Sequence, residues 1–328
     1  MKTYLVTGGC GFIGSHLVET LINKGNKVII VDDLSTGHIS NINNFITNKK
    51  LIFVKSSILN KNIGKYFKKI DTVFHLAAQS DIVPSIENPN KYFDVNVKGT
   101  LNILNFAREF KVKKFIYAAS SSCYGIPKKY PTDELSEINP RYPYALTKYL
   151  AERLVQHWAK LYDFKYLSLR LFNVYGPKVR TTGHYGAVFG VFLSQLYNNK
   201  PLTIVGNGNQ KRDFTYVTDV VSAFIKASNS KNINGIFNVG TGNPISINDV
   251  VKLLNVKKKV HIPKRPGEPY QTNADIKKIK KELRWSPKIS FKKGLKLMTK
   301  DISFWKNAPL WNKTSIKHAT KKWFKYVK

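Results

Sequence analysis

A chain of 328 residues exceeds what a single core usually holds, and with 42% hydrophobic and 12% aromatic residues it excludes both a peptide-sized module and global disorder. Its two cysteines, Cys10 and Cys123, exclude a disulfide framework and a four-ligand zinc site, and they fit a reducing compartment. Fifty-four basic against 20 acidic residues give a formal charge of +34, but 46 of the 54 are Lys in a chain also rich in Asn and Ile, so the excess reads as compositional drift and not as a nucleic-acid or membrane surface.

The opening MKTYLVTGGCGFIG passes from one Lys through a short apolar run to glycines, which is not the pattern of a signal peptide. No run approaches the ~18 apolar residues of a membrane span. A cytoplasmic protein without a membrane partner is expected. Six short β-branched or aromatic runs then read as buried strands: Thr3–Thr7, Lys27–Val31, Leu51–Val54, Thr72–Leu76, Phe115–Ala119 and Tyr166–Leu171. Helix-length segments lie between them, notably 12–24, 94–109 and 142–161. This alternation implies an α/β fold with a doubly wound, Rossmann-type parallel sheet over residues 1–172. From 173 to 328 the chain turns to glycine-punctuated short pieces with helices near 219–228 and 246–254, which reads as a smaller α/β substrate-binding domain, with the chain free to cross between the two. Near the end, KKIKKELRW and FKKGLKLMTK space Lys opposite Ile279, Leu283, Leu295 and Met298, as solvated amphipathic helices do.

Three patterns carry chemistry. Gly8, Gly11 and Gly14 follow the first strand and open a helix, where backbone N–H groups and a helix N-terminus suit a pyrophosphate, although a glycine run alone is compatible with a plain tight turn. Asp32 ends the second strand 18 residues beyond Gly14, where a carboxylate accepts from ribose hydroxyls and repels a 2′-phosphate; no Arg follows within seven residues, so NAD is favoured over NADP. Tyr144 and Lys148 stand one helical turn apart, and a neighbouring ammonium lowers a phenol's pKa toward that of a usable base. That spacing also occurs in ordinary amphipathic helices. Ser120, Ser121 and Ser122 end the fifth strand, in isolation a loop signature, yet at the edge where ligands of such sheets lie.

Together these segments resemble the extended short-chain dehydrogenase/reductase superfamily, and within it the nucleotide-sugar epimerases and dehydratases typified by UDP-glucose 4-epimerase. TGGCGFIG, VDDLSTG, HLAAQSDIVPSIENP, NVKGTLNIL, SSSCYG, YPYALTKYLAE, RLFNVYGP, GNGNQKRDFTYVTDVV, NVGTGNPISI and KRPGEPYQTNADIKK carry the resemblance in family order over nearly the whole chain. The resemblance implies an NAD site made by Gly8, Gly11, Phe12, Ile13 and Gly14 at the pyrophosphate, Asp32 at the ribose, Ser57 and Ile58 near adenine, and Leu76, Ala77 and Ala78 beside the nicotinamide, with Asn96 as a brace. It further implies Ser120, Tyr144 and Lys148 as the catalytic set, Tyr144 and Lys148 also touching the cofactor. Substrate contacts are implied for Ser120, Ser121, Ser122, Asn173, Arg212, Arg265, Glu268 and Thr272, the arginines and Glu268 as a clamp on diphosphate and uridine ribose.

Two departures from the family pattern stand out. Ser57 occupies the position of an adenine-contacting Asp, and Ser121-Ser122 replaces the Asp-Glu pair with which dehydratases expel water. The expectation is therefore a UDP-hexose 4-epimerase, of the UDP-glucose/UDP-galactose type and open to N-acetylhexosamines, acting on a UDP-sugar as a homodimer. A UDP-glucuronate epimerase or decarboxylase is the rival, with Arg180 as the cation for a C6 carboxylate or simply a surface loop residue. A non-catalytic nucleotide-sensing protein is the rival from another class, disfavoured by the intact Ser-Tyr-Lys set.

Overall fold

Short runs of apolar, mostly β-branched residues bury both faces when they pair in parallel, and six of them do so here: β1 (Thr3–Thr7), β2 (Lys27–Asp32), β3 (Leu51–Lys55), β4 (Thr72–His75), β5 (Lys114–Ser120) and β6 (Lys165–Leu171). The computed structural model describes residues 1–179, 188–231 and 233–327. A seventh strand, Gly235–Val239, completes a parallel sheet in the order β3-β2-β1-β4-β5-β6-(Gly235–Val239). Side chains alternate as the pleat requires. Leu5, Ile29 and Val31 pack with Ile103, Leu104, Ala151 and Val155 of the helices Gly99–Glu109 and Pro143–Leu161. Tyr4, Val6, Val28 and Ile30 pack on the opposite face with Leu17, Val18, Val220 and Phe224 of the helices Phe12–Asn23 and Val217–Asn229.

Thr7 pairs with Val31 on one side and His75 on the other, so strand order reverses about β1 and a crevice opens beyond the carboxyl ends of β1 and β4. The remaining chain builds a second lobe around Tyr175, Phe189, Phe192, Phe214, Tyr216 and Trp305. Gly235–Val239 and the helix before it leave that lobe and join the first one, so the chain crosses between the two. The expectation placed no strand there, because a single Ile-Phe-Asn-Val run among glycines has no pattern of its own; pairing with β6 makes it one.

The segment expected as one helix over 94–109 has a π-helical turn, Asp94–Lys98, before Gly99–Glu109. Near the C-terminus Ile279, Leu283, Leu295 and Met298 are buried, as their spacing implies. Two further helices, Lys313–Ala319 and Lys321–Tyr326, bring Trp323 and Val327 back against Val83 of the helix Ile82–Glu87. Among the described residues no helix is long and apolar enough to cross a membrane.

Candidate active site

A cavity of about 640 Å³ occupies the crevice, with Gly8, Gly11, Phe12, Ile13 and Gly14 forming one wall. Gly8 has φ +72°, and a Cβ there would sit 2.8 Å from the Ala77 nitrogen. A Cβ on Gly14 would sit 2.0 Å from the Gly8 carbonyl oxygen, so the helix Phe12–Asn23 can start this close to β1 only with glycine. Gly11, its N-cap residue, supplies no side-chain cap, which leaves the first N–H groups of the helix without a side-chain partner at the cavity wall. Beside them Asp32 accepts from the Cys10 N–H and the Leu34 N–H, each at 2.9 Å. Burial pushes its carboxyl upward while these two donors pull it down, and the residue lines the cavity with acceptor capacity beyond those two bonds. A bare anion-binding helix start with a carboxylate at the next strand end fits a dinucleotide with a free 2′-hydroxyl. Asp32, Ile58, Leu76, Ala77 and Ala78 all line the cavity. Ser57 does not: its hydroxyl accepts from the Leu59 N–H at 3.2 Å in a local turn, and Ser56 lines the wall instead.

Ser120 is the last residue of β5, and Tyr144 follows Pro143 at the start of the helix Pro143–Leu161, with Lys148 one turn on. The sheet brings all three to one stretch of the cavity wall. The Ser120 and Ser122 hydroxyl oxygens are 2.7 Å apart, and Ser121 lines the same wall. Burial pushes the Tyr144 phenol up, and a hydrogen bond with Ser120 is the largest influence pulling it back. From the sequence, that part is expected of the Lys148 ammonium together with the positive nicotinamide. Burial lowers the Lys148 ammonium to about 7, against the pull of Glu152. Its Nζ lies 4.2 Å from the centre of the Tyr117 ring, and the Tyr117 hydroxyl donates to the Lys148 carbonyl.

Asn96 lies behind the wall. Its Oδ1 accepts from the Gln79 N–H at 2.8 Å, and its Nδ2 donates to the Gln79 carbonyl and to Thr147 Oγ1, each at 3.0 Å. The π turn thus aims one amide at both the loop after β4 and the helix that carries Tyr144. His75 sits between Thr7 at 2.7 Å and Thr100 at 2.9 Å; burial lowers its pKa to about 3, so it stays neutral and passes order to the Ala77 N–H through Thr7.

At the other end of the cavity stand Asn173, Arg212, Arg265, Glu268 and Thr272. Glu268 accepts from Arg265 at 3.0 Å and lies 3.9 Å from Arg212. Two guanidiniums converge on one carboxylate, a concentration of positive charge at the cavity wall. Thr272 donates to Asn173 Oδ1 at 2.8 Å. Arg180 lies outside the described residues. Tyr142 and Trp323 also line the cavity and stack toward Tyr144 and Arg265, positions for which the sequence held no local signal.

Residues 4–240 match the NAD dependent epimerase/dehydratase family. The UDP-glucose 4-epimerase of Mycolicibacterium smegmatis is 33% identical over 316 residues, covering 94% of this chain and 99% of that protein. The crystal structure of the UDP-glucose 4-epimerase of Thermotoga maritima with UDP-glucose superposes with a TM-score of 0.85 at 35% identity, covering 93% of this chain and 98% of that one. The UDP-glucuronic acid 4-epimerase of Bacillus cereus, in complex with UDP-glucuronic acid and NAD, gives a TM-score of 0.86 at 34% identity, covering 92% and 99%. The cofactor is NAD. With its parallel sheet, its glycine-built helix start and its Ser-Tyr-Lys set, this chain belongs to the NAD-dependent epimerase/dehydratase family.

Proposed function

We propose that the protein is a UDP-hexose 4-epimerase that interconverts UDP-glucose and UDP-galactose and also takes N-acetylhexosamine counterparts. The observation that carries this reading is the convergence of Ser120, Tyr144 and Lys148 on one stretch of cavity wall, with serines at 121 and 122 where an acid pair would be needed to expel water. Bound NAD supplies the acceptor and donor of the C4 hydride and a positive ring that favours a phenolate. Tyr144 removes the proton of the sugar 4-hydroxyl while Ser120 holds the same oxygen, leaving a 4-keto sugar. Arg212, Arg265 and Glu268 keep hold of the nucleotide diphosphate while the keto sugar turns its other face. Tyr144 then returns its proton to the 4-oxygen, and C4 ends with inverted configuration. Ser121 and Ser122 can neither take a C5 proton nor protonate a leaving C6 hydroxyl, so the intermediate is reduced back. The chain's contribution is positioning and pKa tuning.

The test is incubation of the purified protein with UDP-glucose, UDP-N-acetylglucosamine and UDP-glucuronate in turn, with products identified by NMR and mass. The expected products are the C4 epimers of the first two with no change in mass. Loss of one water, of carbon dioxide, or turnover of UDP-glucuronate alone overturns the reading.

A further inference from the structure

The last 20 or so residues strap the two rims of the cavity together. In the second lobe, Ser194 donates to the Ala308 carbonyl at 3.1 Å and Gln195 to the Trp311 carbonyl at 2.7 Å. Asn312 and Ser315 cap the helix Lys313–Ala319 reciprocally, and Ile316 is buried in that lobe's core. The helix Lys321–Tyr326 then crosses to the first lobe, where Trp323 and Val327 pack on Val83. Trp323 is 2% exposed and itself lines the cavity.

Two contacts tie this indole to the candidate nucleotide clamp, and a third leads to Tyr142. Its Nε1 donates to the Pro266 carbonyl at 2.8 Å. The Arg265 guanidinium carbon stands 5.5 Å from its ring centre. The Tyr142 ring lies 6.2 Å away and stacks in turn on Tyr144 at 6.5 Å. Residues 263–268 form no helix or strand, so the placement of Arg265 depends on what the loop touches. A buried ring on one side and Glu268 on the other hold a long side chain that would otherwise lose rotamer freedom on binding an anion.

We infer that Trp323 is a positioning residue for the nucleoside diphosphate: by seating Arg265 and the Pro266 carbonyl it fixes the guanidinium that meets the diphosphate, which makes the C-terminal helix part of the binding site. The inference rests on the proposed UDP-sugar function. Because the indole touches Arg265 and Pro266 directly and reaches Tyr144 only through the Tyr142 ring, its effect falls mainly on binding and not on the chemical step.

UDP binding to the NAD-bound protein, followed by calorimetry, tests it, alongside kcat and KM for UDP-glucose. Trp323→Ala is expected to weaken UDP binding and raise KM by about tenfold, the combined worth of a cation–π contact and one hydrogen bond. The kcat stays within about twofold and the NAD content is unchanged. Trp323→Phe, which keeps a ring under Arg265 and loses the N–H, falls between parent and Trp323→Ala. Phe324→Ala, on the exposed side of the same helix, binds UDP as the parent does. A parent that binds no UDP defeats the underlying function. A parent that binds UDP while Trp323→Ala binds it equally defeats the inference alone. The same holds if Trp323→Ala does not fold and Trp323→Phe binds UDP as the parent does, or if NAD is lost in step with UDP.

Discussion

The Thr272 hydroxyl donates to Asn173 Oδ1 at 2.8 Å while accepting from the Asp213 N–H at 2.9 Å, so it is built into the cavity wall. Replacing it by Tyr therefore has two consequences: a ring enters the cavity, and Asn173 loses its partner. Thr272→Val separates them, since it removes the hydrogen bond with little change in volume. By excluded volume, Thr272→Tyr is expected to suppress UDP-N-acetylglucosamine and UDP-N-acetylgalactosamine while sparing UDP-glucose. Thr272→Val is expected to raise KM for all of them by a similar few-fold factor, roughly one hydrogen bond's worth. Parallel steady-state kinetics decide it: a substrate ratio in Thr272→Tyr equal to the parent's shows that Thr272 is not the gate.

Tyr144→Phe keeps the ring that stacks on Tyr142 at 6.5 Å and removes only the hydroxyl. Turnover is expected to fall by roughly 10² to 10⁴, with little change in melting temperature or NAD content. Ser120→Ala adds a sign. The Ser120 hydrogen bond pulls the Tyr144 pKa down, so its loss raises that pKa and moves the rising limb of the kcat–pH profile to higher pH. Near-parent turnover in Tyr144→Phe, or a limb that moves to lower pH in Ser120→Ala, contradicts the assignment of the base.

What was legible in the sequence is what local pattern determines. The β1 run, the glycines behind it and Asp32 at the end of β2 lie within one βαβ unit, so their spacing alone places them around one crevice. Tyr144 and Lys148 are one turn apart on any helix. The π turn that aims Asn96 at Thr147 was not legible, because one extra residue within a hydrogen-bonded turn shows only in the backbone. Nor was the choice of Ser56 over Ser57 at the cavity, which a single turn at Leu59 decides. Trp323 lay hidden in a Lys-rich segment whose composition reads as solvated surface. Its burial comes from residues distant in sequence, Val83 among them at 240 positions away, and no periodicity reports such contacts.

The parent protein is expected to purify with NAD(H) bound, and Gly14→Ala to lose it. The added methyl would overlap the Gly8 carbonyl oxygen at 2.0 Å, so the helix Phe12–Asn23 must shift away from β1, and its N–H groups with it. Because the obstacle is backbone and not a flexible side chain, the strain is not relieved cheaply. Denaturing both proteins and quantifying released dinucleotide checks this. NADP in place of NAD contradicts the reading of Asp32, and full NAD occupancy in Gly14→Ala contradicts the steric account.

Lys148 gives a stability signature that needs no substrate. Its pKa is lowered to about 7 in the folded protein by burial, against about 10.4 in an unfolded chain. Between those values the unfolded chain binds more protons than the folded one, so this residue makes stability rise with pH across that window and fall again as pH drops toward 7. From pH 7 to 9 the cofactor-free protein is expected to gain about 2 kcal/mol from Lys148. Other lysines titrate as well, Lys114 among those with lowered values, so the comparison is with Lys148→Met, which keeps the buried stem and carries no charge. Urea midpoints of parent and variant at the two pH values isolate the difference. The parent is expected to gain more than the variant, and the variant to be the more stable of the two at pH 7, where the parent still buries a partly charged ammonium. Equal gains show that Lys148 keeps its proton in the fold, and its charge then stands fully available to Tyr144.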